Sequence, residues 1–146
     1  MKRLFFTALC YLILGLAGGL FYREWTHTAG FTGDTQLSVV HTHLLTLGMM
    51  MFLIALILER LFGLTRSRVF GWFYWIYNLG VVWTVAMMVV HGLRTVDGRP
   101  DNPALDGISG AGHIILSAGL ILLFVTIGRS IHRTVAEADL AGRHRG

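Results

Sequence analysis

Charge is what this chain has least of. Asp, Glu, Lys and Arg make up 14% of its 146 residues, against about 25% in an ordinary soluble domain. Proline occurs twice and cysteine once. Cys10 stands alone inside an apolar run, which excludes an intrachain disulfide framework. No Walker loop, dinucleotide fingerprint, four-span internal repeat or low-complexity tract is present. The remainder is 54% hydrophobic, with a mean hydropathy of +0.63. A secreted scaffold, a disordered chain and a cytosolic enzyme are all disfavoured by that balance, and an integral membrane protein is expected.

Four apolar stretches are each long enough for a helix across a hydrocarbon core about 30 Å thick. They run near Leu4–Tyr22, Leu37–Leu58, Phe70–Gly92 and Ile108–Ile131. The expected fold is therefore an all-α four-helix membrane bundle over 1–131, followed by a polar tail over 132–146. Lys2-Arg3 ahead of an apolar run also has the look of a secretory signal, but no clean Ala-x-Ala site follows, and the run is read as a first span.

The net charge of +4 does not mark a nucleic-acid binder, because the arginines flank apolar spans and form no basic stripe interleaved with aromatics. They read as topology signals. Nine cations fall on one side (Lys2, Arg3, Arg60, Arg66, Arg68, Arg129, Arg133, Arg143, Arg145) and three on the other (Arg23, Arg94, Arg99). The positive-inside rule then puts both termini in the cytoplasm and the first and third connections outside.

Four of the seven histidines lie within or at the ends of spans at similar heights: His41, His43, His91 and His113. Ionisable groups at such depths are costly and usually functional, although histidines also serve as interhelical hydrogen-bond glue. In His41-Thr42-His43 the two imidazoles are about 200° apart around a helix, so they leave opposite faces. They cannot chelate one small ion, but each can serve a different site on either side. A haem needs an axial nitrogen and an apolar slot. With no Cys-x-x-Cys-His motif, any haem is held non-covalently. Gly48, seven residues after His41, falls on the same stripe and would relieve crowding there. Arg23 and Arg94 abut the outer span ends, where haem propionates would need charge-assisted partners.

The run His41-Thr-His-Leu-Leu-Thr-Leu-Gly48 resembles the His-x-His helix of the haem–copper oxidase catalytic subunit, whose two histidines ligate different haems. Val89-Val-His-Gly-Leu-Arg-Thr-Val-Asp-Gly98 resembles the oxidase segment that ends in copper-ligating histidines, with one histidine in place of two. Over almost its full length the chain also resembles a family of small bacterial four-span membrane proteins without an assigned function. The shared features are Phe21–Glu24, the His-x-His helix and Gly110-Ala-Gly-His113. The oxidase subunit has twelve helices in three groups of four, so the resemblance implies a homotrimer in which His41 of one protomer and His43 of the next face one slot.

These readings lead to a b-type haem ligated by His41 and His43, with His91 and His113 as supporting or alternative axial groups. The protein is then a redox module in a bacterial inner membrane, served by a quinol or a redox protein. An oxygen- or nitric-oxide-binding haem enzyme or sensor and a haem-free structural or transport subunit are the alternatives. Copper is not expected, because one His91 per protomer is too few unless protomers share it. Proton pumping is not expected either: no Asp or Glu lies mid-span, the nearest being Glu59, and Tyr74 and Tyr77 sit on the inner half of the third span. Gly15, Gly18, Gly19 and Tyr22 form a small-residue stripe that reads as helix packing, and Met49–Met51 read as core.

Overall fold

A computed structural model of the protein describes residues 1–99 and 103–143, with side chains up to residue 133. Arg145 of the charge analysis lies outside the described residues, as does the side chain of Arg143. Within them every regular element is helical. α1 spans Lys2–Thr28, α2 Leu37–Phe62, α3 Arg68–Val96 and α4 Pro103–Arg143, the apolar part of α4 being Pro103–Arg133. All four are long and apolar enough to cross a membrane.

The helices overrun the apolar stretches that mark them in the sequence. α1 continues through Arg23 and Trp25 and ends at Gly30, whose φ is +61°. There the Gly30 amide donates to His27 and the Phe31 amide to Thr26, the paired bonds of a Schellman cap. α3 ends in the same way at Gly98, φ +67°, with Gly98 bonded to Thr95 and Arg99 to Arg94. The connections expected over Arg23–Gln36 and Leu93–Gly107 are thus shorter, and Arg23 and Arg94 stand on helices. At the other end Ser67 caps α3 by accepting from the Val69 amide, the ordinary use of an N-cap hydroxyl.

Two antiparallel hairpins, α1 with α2 and α3 with α4, pack together. Glycines set both pairings. Gly15 lies against Leu45, Gly18 against Val40 and Leu44, and Gly19 against the His41 ring, so the small-residue stripe of α1 is a packing seam. On the second hairpin Gly80 abuts the backbone of Leu116, Gly112 abuts Thr84, and Gly119 abuts Tyr77. Between the hairpins sits an aromatic core. Phe52, wholly buried, stacks on Tyr11 with centroids 5.8 Å apart and meets Phe73, Tyr74 and Tyr77.

α2 is not α-helical throughout. Leu44–Met50 is a π-helix, immediately after His41-Thr-His43. The Tyr77 hydroxyl donates to the Leu47 carbonyl in the middle of it, at 3.1 Å.

Candidate functional site

The bundle has a basic end, carrying Lys2, Arg3, Arg60, Arg66 and Arg133, and a histidine end, where α2 begins and α3 stops. At the histidine end His43 is held by its own helix. Its Nδ1 lies 2.9 Å from the Val39 carbonyl, and a carbonyl only accepts, so Nδ1 carries the proton. A neutral ring then keeps its lone pair on Nε2, the arrangement in which histidine binds metals.

His41 is in the opposite condition. Its ring rests on Gly19 of α1, and its Nδ1 is buried with no hydrogen-bond partner. An orphaned polar atom of this kind costs about 1–3 kcal/mol. His41 packs on α1 and His43 does not share that face, which agrees with the opposed directions expected of residues i and i+2 on a helix.

His91 is committed elsewhere. Ser109 donates its hydroxyl to the Leu105 carbonyl, so its oxygen accepts from His91 Nε2 at 2.9 Å. Asp106 stands 3.8 Å from His91 Nδ1. This group ties the end of α3 to the start of α4. His113 is exposed and sits beside Gly112, which packs on Thr84, seven residues deeper along α3 than His91. At 1.5 Å per residue that is about 10 Å, so His113 lies deeper than His91 and the histidines do not share one height.

Gly48 shares the α1-facing stripe with His41, but the space it leaves belongs to Tyr11. A Cβ there would meet Tyr11 Cγ at 2.4 Å. The crowding it relieves is that of a tyrosine ring packed between helices. Arg23 pairs loosely with Glu24 at 3.8 Å, both being largely exposed. Arg94 is half-buried, one turn beyond His91 on α3. Among the described residues no three of His, Cys, Asp and Glu gather into a metal-binding group.

Residues 1–130 match the family model described as "Protein of unknown function (DUF2871)". The chain belongs to that family. No curated protein and no solved structure matches this DUF2871 chain, so the comparisons lend no support to the haem–copper oxidase resemblance of His41–Gly48 and Val89–Gly98. Three features of the DUF2871 chain are absent from the sequence-based expectations. Ser109, the partner of His91, is 18 positions away and carries no local signal. The π stretch is invisible to hydropathy. Gly112 and Gly119, however, are seven residues apart, a spacing that marks one helix face.

Proposed function

We propose that the protein is a b-type haem protein of the bacterial inner membrane, working as a redox or electron-transfer module. In this reading His41 and His43 supply the axial nitrogens near the outer face, in slots between copies of a homotrimer whose termini are cytoplasmic. The observation that carries it is the paired state of the α2 imidazoles. The proton on His43 Nδ1 is held by Val39, leaving Nε2 to coordinate, while a buried nitrogen of His41 is left without a partner.

The donor set fits haem better than a small ion, because the two rings diverge and, among the described residues, no third ligand joins them. One chain cannot bring both rings to one iron. A ring of three copies would set His41 of each against His43 of the next, which accords with the twelve-helix likeness. Bound there, the iron would supply one-electron redox chemistry. The residues of the chain do the holding: Val39 orients His43, Gly19 packs against the His41 ring, and Arg94 offers a cation on α3 one turn beyond His91. The inward direction of the basic end follows from its excess of Lys and Arg.

One observation favours the haem-free alternative. His91 already serves as interhelical glue through Ser109, and the other histidines would do likewise in a structural or transport subunit. An absorption spectrum separates the two. Protein purified from haem-replete cells should show Soret and alpha bands with low-spin six-coordinate resonance signals, and His43→Ala or His41→Ala should abolish them. A colourless protein overturns the haem reading, and rapid carbon monoxide binding by the reduced form overturns the electron-transfer assignment in favour of gas chemistry. Native mass spectrometry in mild detergent should give a trimer; a monomer or dimer refutes the shared slot.

A further inference from the structure

Two cavities meet at the basic end, and Arg60 lines both. One, of about 650 Å³, is walled by Phe5 and Phe6 of α1 and by Leu56 and Ile57 of α2, with exposed Lys2 and Arg60 beside them. Deeper along the same α1/α2 seam, Phe5 also borders a separate, smaller space of about 90 Å³ with Leu9 and Leu53. The other, of about 480 Å³, is polar and holds Arg60, Arg66 and Arg133.

The charge in the polar basin is poorly balanced. Among the described residues its acid is Glu59, and both oxygens of that carboxylate are taken up by Thr65, which donates its amide at 2.6 Å and its hydroxyl. Arg133 gives one N–H to the Phe62 carbonyl at 3.3 Å, and a guanidinium has five to give. Three guanidinium groups therefore border a basin whose carboxylate is occupied by the loop. An apolar groove leads from these cations into the depth of the membrane-spanning region.

We propose that this is a binding site for one anionic phospholipid, with the headgroup phosphate on Arg60, Arg66, Arg133 and Lys2 and an acyl chain in the groove between Phe5, Phe6, Leu56 and Ile57. Guanidinium groups match phosphate oxygens in a bidentate way, and basic pockets between membrane helices suit anionic lipid headgroups. The groove is what distinguishes a lipid from a free anion: inorganic phosphate has no use for it. The site is independent of the histidine end.

Native mass spectrometry of the delipidated full-length protein in detergent tests this, titrating phosphatidylglycerol, phosphatidylcholine and inorganic phosphate. Phosphatidylglycerol should bind at least about tenfold more tightly than phosphatidylcholine. Each cation near the headgroup contributes about fivefold, so Arg60→Gln should weaken phosphatidylglycerol binding by about that factor and Lys2→Gln with Arg60→Gln by about 25-fold. Ile57→Trp, which fills the groove and leaves the cations intact, should also weaken it. Arg129→Gln, exposed and lining neither cavity, should leave it unchanged. Equal binding of the two lipids, equal effects of Arg60→Gln and Arg129→Gln, or indifference to Ile57→Trp would each overturn the proposal, and inorganic phosphate binding as tightly as the lipid would make this a free-anion site.

Discussion

Gly48→Ala adds one methyl group at the contact between α1 and α2, and the structure sets its cost. The new Cβ would lie 2.4 Å from Tyr11 Cγ, 2.6 Å from Cδ1 and 2.7 Å from Cβ, whereas carbons in contact sit about 3.5–4.0 Å apart. The ring would have to withdraw by about 1 Å, carrying α1 with it because Tyr11 Cβ is fixed to the backbone. It has little room, since it is 5% exposed, lies flat on Phe52 at an interplanar angle of 8°, and is tethered by its hydroxyl to Asn78 at 2.8 Å. Overpacking of this kind costs about 1–3 kcal/mol, and a strained hydrogen bond adds about 0.5–1.5 kcal/mol. The better helix propensity of alanine returns about 1 kcal/mol. A net destabilisation of roughly 1–3 kcal/mol is expected, read from reversible unfolding in mixed dodecyl sulfate and maltoside micelles by circular dichroism. In a Tyr11→Leu background the penalty should shrink, giving a coupling well above the ~0.5 kcal/mol of independent sites. A neutral or stabilising Gly48→Ala, or simple additivity with Tyr11→Leu, would refute the packing account. Loss of a Soret band at unchanged stability would show instead that Gly48 borders a cofactor.

Two further substitutions separate the histidine end into its parts. Arg94→Gln should lower the midpoint potential of the proposed haem by on the order of tens of millivolts, because a nearby cation favours the reduced state; redox titration in detergent checks it, and an unchanged or higher potential marks Arg94 as an ordinary interfacial arginine. Ser109→Ala leaves His91 Nε2, on a side chain only 14% exposed, without its acceptor. It should cost about 1 kcal/mol of stability and leave any haem spectrum intact; a lost spectrum would place His91 among the cofactor's ligands.

The four helices were legible because a bilayer supplies no partners for backbone polar groups, so a spanning segment must be long, apolar and helical. Their ends were less so. Arg23 and Arg94 interrupt the apolar runs, yet the helices pass through them and stop only at Gly30 and Gly98, where the backbone turns left-handed. Hydropathy reports where lipid begins, and capping chemistry reports where the helix stops. The Gly15, Gly18 and Gly19 seam could be read from spacing alone. Gly48 could be placed on its stripe but not matched to Tyr11, because the identity of the neighbour depends on the vertical register of α1 against α2. The committed state of His91 depends in the same way on how α4 folds back upon α3. For His41 and His43, helical geometry gave their divergence, while the bond from His43 to Val39 and the orphaned His41 nitrogen depend on side-chain conformation.

The π stretch over Leu44–Met50 divides α2 mechanically. A π turn is wider than an α turn and advances less per residue, so tightening these seven residues into α geometry would lengthen the helix and rotate Leu37–His43 about its axis relative to Phe52. Phe52 is locked among Tyr11, Phe73, Tyr74 and Tyr77, and Leu37 is buried against Gly92 of α3, so α2 is held on both sides of the π stretch. The azimuth of both imidazoles thus follows from the winding of one seven-residue segment, whose middle carbonyl accepts from the Tyr77 hydroxyl.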